Sequence, residues 1–250
     1  MHAVILNNDQ SFPQERLQEL AALLQLTLFD LRQRLYTTGP VVVARFAAEE
    51  MARERLQALL TAGFSGFAID SSALDDIPCL LPRSLCFTPE ELTLSLQNDE
   101  QLNLPYLQLD ALIVATRSIG QNQFITTTQR SFSLGKTLMA GGIPMTKKKV
   151  TKEQVAEEGQ ERVLYLASGE KRLLFREQGM SYEGLGEDMK PTREQNFTTL
   201  LSRLRRRAPN AAYDERLLTK AMLNRLLGPL PNPQEHLRLA AEILVRSLTP

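Results

Sequence analysis

The sequence predicts an α+β fold in three parts: a small β-α-α-β-α-β sandwich domain over 1–73, a mostly antiparallel β domain closed by a helix over 79–207, and a C-terminal helical hairpin over 208–250. Three observations carry this prediction. Between Leu17 and Leu60, apolar residues recur at the three-four spacing of buried helical faces, interrupted by short β-branched runs. After Pro78 the texture changes to short, partly alternating apolar runs bounded by turn formers. After Pro209 helical spacing returns.

Ala3-Val4-Ile5-Leu6 is β-rich and is broken by turn formers from Asn7 to Ser11, so the fold opens with a strand. Ser11 with Gln14 makes a capping-box pattern with Pro13 in the first turn, and Leu17, Leu20, Ala21 and Leu24 form one buried face. A second helix starts at Thr27, whose hydroxyl can cap the amides near Asp30, and Gly39-Pro40 ends it. Leu28, Leu31 and Leu35 are its apolar stripe. Val41-Val42-Val43 then reads as a strand, Ala48 to Ala62 as a helix with Ala52, Leu56, Leu59 and Leu60 on one side, and Phe64 to Ile69 as a third strand after the Gly63 cap. That order buries three helices against one face of a small sheet.

Leu23 to Ile69 resembles the C-terminal domain of the bacterial ribosomal stalk protein, which has the same element order. Leu26-Thr27-Leu28 through Arg32 stands where that family starts its glycine-leucine-rich helix, and Glu49 to Phe64 is similar to its charged helix ending in alanine-glycine. The resemblance implies the fold of this part. It departs at the surface the family presents to translation factors, a lysine-rich helix: here Phe29, Asp30 and Gln33 fall in that helix, and only Arg32 and Arg34 keep positive charge. The ribosomal role is therefore not carried over.

Ser71 to Pro78 is a polar, acidic linker. From Leu80 to Arg117, Leu92-Thr-Leu-Ser-Leu alternates and Ala111 to Ala115 is continuous, which predicts strands with turns at Asn98-Asp99 and around Pro105. Val163 to Leu166, Leu173 to Phe175 and Met180 to Tyr182 read as further strands, with Gly169 and Gly179 as turns. Thr192 with Gln195 is a second capping box, and Phe197, Leu200, Leu201 and Leu204 form the buried stripe of the helix that follows. Hairpins followed by one amphipathic helix resemble the pleckstrin-homology architecture, a bent sheet plugged by such a helix. The alternative is a simpler antiparallel sheet with the helix laid across one face.

Gly120 to Gly159 is polar and weakly periodic, and it reads as a long loop over 120–159, either a functional loop or partly disordered. Beyond Pro209, Tyr213 to Leu227 is expected to be helical, and Asn232-Pro233 to begin a further helix with Leu237, Ala240, Ala241, Leu244 and Leu248 as apolar positions.

The 29 basic and 29 acidic side chains cancel, so no global field draws the molecule to nucleic acid or anionic lipid, and such binding would come from a local patch. Cys79 and Cys86 are too few for a disulfide framework or a four-thiolate zinc site and read as reduced thiols. Met1 to Gln10 has no basic start and too short an apolar run for a signal peptide, and no stretch has the roughly 20 apolar residues of a membrane span. A cytoplasmic location is expected.

Gly135-Lys136-Thr137 invites a phosphate-loop reading, but Arg130 stands where that pattern needs its first glycine. His2 and His236 have no nearby nucleophile or ligand spacing, and nothing supplies a base for Cys79 or Cys86. Asp75-Asp76 and Glu187-Asp188 are adjacent acids of the kind that point apart into solvent. No cofactor and no metal site is expected. The basic features are Lys147, Lys148 and Lys149, joined by Lys152, and Arg203, Arg205, Arg206 and Arg207 at a helix C-terminus, where the dipole already favours positive charge. Lys147, Lys148, Lys149, Arg203, Arg206 and Arg207 are the candidate anion-binding residues, with no aromatic residues interleaved in either run.

The sequence thus reads as a non-enzymatic, cytosolic, adaptor-like interaction protein whose partner is another protein. A binder of nucleic acid or anionic membrane through the basic patch is the first alternative, and a carboxylate-dependent enzyme is the second.

Overall fold

The computed structural model describes residues 1–8, 12–36, 38–132, 146–228, 230 and 236–249; the side chains of 75, 120–132 and 146–158 lie outside the description. The fold is α+β. The chain divides into two compact units, residues 1–117 with 161–250, and residues 118–160.

In the larger unit β1 (His2–Asn8), α1 (Gln14–Leu24), α2 (Leu28–Arg34), β2 (Gly39–Phe46), α3 (Glu49–Thr61) and β3 (Gly66–Asp70) follow in the expected order. β1 is the middle strand, antiparallel to β2 and to β3. Thr27 Oγ1 accepts the Asp30 amide at 3.1 Å and starts α2. The expected Ser11 cap lies outside the described residues, and Pro13 is the N-cap of α1 rather than part of its first turn. Val4, Leu6, Val41 and Val43 face the three helices and share a core with Leu20, Leu31 and Leu59. Ala3, Ile5, Val42 and Ile69 face the other way into a second core. Burial on both faces explains why these strands read as continuous apolar runs rather than alternating ones.

After the helical turn α4 (Ala73–Asp76) come β4 (Cys79–Leu80), β5 (Pro82–Phe87), β6 (Glu91–Leu96) and β7 (Gln101–Pro105). β5, β6 and β7 form an antiparallel meander whose second turn places Asp99 at φ 62°. β8 (Ala111–Phe132), β9 (Thr146–Ser168), β10 (Lys171–Arg176) and β11 (Ala212–Leu217) build a second sheet with β4, in the order β11-β8-β9-β10-β4. Its edges are parallel pairs, β11 with β8 and β4 with β10. Ala111, Ile113 and Ala115 enter the core that the N-terminal sheet also lines, while Leu112 and Val114 enter a third core on the opposite face.

α5 (Arg193–Arg207) buries Phe197, Leu200, Leu201 and Leu204 in that third core, together with the leucines of the β5–β7 meander. Its first turn is held by Thr192, whose Oγ1 accepts the Gln195 amide at 3.2 Å. Thr192→Ala should lower stability by about 1 kcal/mol, read as a fall of roughly 2–4 °C in Tm by calorimetry. α6 (Lys220–Leu227) and α7 (Leu237–Leu248) complete the unit. α7 carries the buried residues Leu237, Leu239, Ala240, Ala241, Ile243, Leu244 and Val245 into the core that lies between the N-terminal sheet and the second sheet.

Three expectations are corrected. Tyr213 to Leu217 is strand β11, not helix, because it docks beside β8 and completes a backbone ladder; the helix starts only after Thr219, whose hydroxyl accepts the Met222 amide at 3.3 Å. Met180 to Tyr182 is not a strand: the Ser181 amide donates to the Arg83 carbonyl at 2.8 Å, the Tyr182 hydroxyl donates to the Glu177 carbonyl at 2.9 Å, and a 3-10 helix over Glu183–Asp188 follows. Finally, 120–132 and 146–159 are strand segments of β8 and β9 where a loop was expected, in keeping with β-branched residues such as Ile125 and Thr126-Thr127-Thr128. The Gly135-Lys136-Thr137 motif and the Asn232-Pro233 helix start lie outside the described residues.

Candidate functional site

The last two turns of α5 carry four arginines, and the fold brings to them three aromatic residues distant in sequence. Phe87 ends β5, Tyr106 opens a 3-10 helix (Tyr106–Gln108) after β7, and Tyr213 lies in β11. The Arg205 guanidinium lies 4.0 Å from the centroid of the Tyr213 ring, and Arg203 lies 5.3 Å from that of Phe87. Arg207 sits between two rings, 5.8 Å from Phe87 and 5.4 Å from Tyr106. The interleaving that the sequence does not show is present in space. Only the packing of α5 against the meander and β11 creates it, so spacing along the chain held no signal for it.

Hydrogen bonds fix these groups. Arg207 Nη1 and the Tyr106 hydroxyl both donate to the Thr88 carbonyl, the latter at 3.0 Å. Arg203 Nε donates to Asp188 Oδ2 at 3.0 Å, and this pairing holds the Asp188 carboxyl below the usual range. Burial, and then the hydrogen bond to Glu215, pushes the Tyr213 phenol up to about 12, so it stays neutral under its arginine. Among the described residues Arg205, Arg206 and Arg207 have no carboxylate in an ion pair. Two large apolar side chains stand beside this cluster in sequence, Leu107 at 81% exposure next to Tyr106 and Met189 at 52% next to Asp188. Arginine, aromatic rings and methionine are the residue types enriched in protein interfaces.

Arg203, Arg206 and Arg207 of the candidate set therefore share one face. Lys147, Lys148 and Lys149 belong to β9, and their side chains lie outside the described residues. His2 Nδ1 is 4.0 Å from Asp70, whose carboxyl is held at about 2 by the Ser72 hydroxyl and amide. His236 stands just before α7. Cys79 and Cys86 are both free thiols; burial pushes Cys79 up, against the pull of Arg238 and Arg172, while Cys86 is exposed.

The buried acids among the described residues are Glu161, Glu177, Asp214 and Glu242. Each is committed to arginine: Glu161 to Arg176 at 2.9 Å, Glu177 to Arg162 at 3.1 Å, Asp214 to Arg216 at 2.6 Å, and Glu242 to Arg172 at 2.8 Å and Arg246 at 3.1 Å. Such pairs organise packing around these four acids. No group of three or more metal-ligating side chains occurs among the described residues, and no described helix is long and apolar enough to cross a membrane. Comparison with known families, with curated proteins and with solved structures finds no match.

Proposed function

We propose that this chain is a non-enzymatic, adaptor-like protein of the cytosol that binds an acidic segment of another protein through the C-terminal face of α5. The observation that supports it is the stacking of Arg205 on Tyr213 and of Arg207 between Phe87 and Tyr106, beside the exposed Arg206, in a chain whose total charge is zero. Guanidinium groups already stacked on rings lose less freedom on meeting a carboxylate, and their forked donors match its geometry. Arginine and tyrosine are also the residues that carry most binding energy in interfaces. The pleckstrin-homology resemblance draws support from α5 and two sheets sharing one core.

A second reading, a single-stranded nucleic acid laid across the same rings, is favoured by the nearness of Phe87 and Tyr213 to arginines. Anisotropy titrations with a labelled glutamate-rich peptide, a single-stranded RNA and vesicles containing phosphatidylserine separate the readings. The peptide should bind, more weakly as salt rises, and Arg206→Glu should reduce affinity by about 10-fold or more because Arg206 is exposed and its replacement leaves the fold intact. Peptide affinity unchanged in Arg206→Glu would remove the proposal; RNA binding alone would replace it with the second reading.

A further inference from the structure

A second arginine cluster, separate from the α5 face, has no counterpart in any contiguous basic run. Arg34 on α2, Arg216 on β11 and Arg225 on α6 line one pocket floored by Gly39 and Pro40 at the start of β2. Arg45, near the end of β2, does not line this pocket; its Nη2 donates to the Leu227 carbonyl, next in sequence to the pocket-lining Leu226, and its pKa is lowered by burial and then by the charge of Arg34. The backbone makes room for the guanidiniums. Gly39 has φ 110°, a value that favours glycine, and a Cβ there would collide with Arg216 Nη1.

Among the described residues the charges are only partly balanced. Asp214 neutralises Arg216, with Nε to Oδ2 at 2.7 Å. Arg34 donates to the Val43 carbonyl at 3.0 Å, Arg45 donates to a carbonyl, and Arg225 stacks 5.3 Å from the centroid of exposed Tyr36; none of the three has a carboxylate in an ion pair among the described residues. Three buried side-chain atoms have no hydrogen-bond partner among the described residues, and two of them are guanidinium nitrogens, Nη2 of the pocket-lining Arg225 and Nε of Arg45. Buried donors that the described residues do not satisfy point to a further partner. An anion with several acceptor oxygens meets that need, and phosphate matches both the forked donors and the excess positive charge better than a single carboxylate. The pocket itself leaves room of only about 20 Å³, and it shares Arg34, Met222 and Arg225 with a groove of about 530 Å³ between α2 and α6 that has Asp30 and Gln33 on its wall. That volume exceeds the need of a lone oxyanion and suits a small organic group.

We propose that Arg34, Arg216 and Arg225 form a binding site for the phosphate group of a small phosphorylated molecule, whose organic part lies in the groove between α2 and α6. The test uses the full chain, with inorganic phosphate and glycerol phosphate as probes and sodium chloride and acetate at matched ionic strength as controls, followed by thermal denaturation. Both phosphates should raise Tm saturably and the controls should not. Glycerol phosphate should bind more tightly than inorganic phosphate, since only the ester uses the groove. Arg225→Gln should abolish the response while leaving the unliganded Tm unchanged or higher, because one of several mutually repelling charges is gone. Arg225→Lys, which keeps the charge and loses the fork, should weaken binding by about 10-fold. Arg206→Glu, on the other face, should respond as the wild type does. Phosphate acting no better than chloride, or Arg225→Gln responding like the wild type, overturns the site; equal affinity for the two phosphates overturns the assignment of the groove.

Discussion

Ile243→Ala or Leu244→Ala should each destabilise the larger unit by about 3 kcal/mol, since deleting a fully buried aliphatic side chain forfeits its transfer energy and leaves a cavity. Both residues are 0% exposed on α7. α7 joins Ala3, Ile5, Val42 and Ile69 of the N-terminal sheet to Ala111, Ile113 and Val163 of the second sheet in one core. Damage there should not stay local. Native-state hydrogen exchange should show amides of β1 and of β8 losing protection together in either variant. Loss confined to one sheet would mean that α7 does not couple them.

Arg172→Ala should cost about 3 kcal/mol in urea denaturation near neutral pH, because it leaves a buried carboxylate with a weakened partnership. Glu242 is 5% exposed, and Arg172 binds it through Nε and Nη2. Burial alone pushes the Glu242 carboxyl up, but the hydrogen bonds and charges of Arg172 and Arg246 outweigh it and hold the group below its ordinary 4.5. A carboxyl depressed in the folded state contributes stability above its unfolded pKa and loses it as pH falls through the folded value. Wild-type stability should therefore decline on acidification below pH 4.5, and Arg172→Ala should show a shallower decline because the depression is smaller. Identical pH profiles for the two proteins would place the acid-sensitive group elsewhere.

Local chemistry made much of the fold legible. Thr27 and Thr192 act as the caps their spacing implies, and the stripes Leu20, Leu24 and Leu31 on α1 and α2, or Phe197 to Leu204 on α5, face cores as expected. What failed to show was set by distant partners. Tyr213 to Leu217 has a helix-compatible composition, yet a free edge of β8 offered it a ladder, and burial against that edge outweighed propensity. The β11-α6 boundary then fell at Thr219, a cap hidden inside an apparently continuous helical pattern.

The sites divide in the same way. Arg203, Arg206 and Arg207 were visible as a run, but Phe87 and Tyr106 join them from residues about a hundred positions earlier in the chain. Arg34, Arg216 and Arg225 never stand together in sequence, so no scan for charge runs detects them. A buried guanidinium nitrogen that the described residues leave without a hydrogen-bond partner is a property of packing, and only coordinates reveal it.

The place of α7 also governs the order of events during synthesis. Ala3 and Ile5 emerge from the ribosome more than two hundred residues before Leu237, where the helix that covers them begins. Contacts spanning such a separation close slowly, because loop-closure entropy must be overcome before they reward the chain. Until then an apolar sheet face stays open to water, the kind of surface through which incompletely folded chains aggregate.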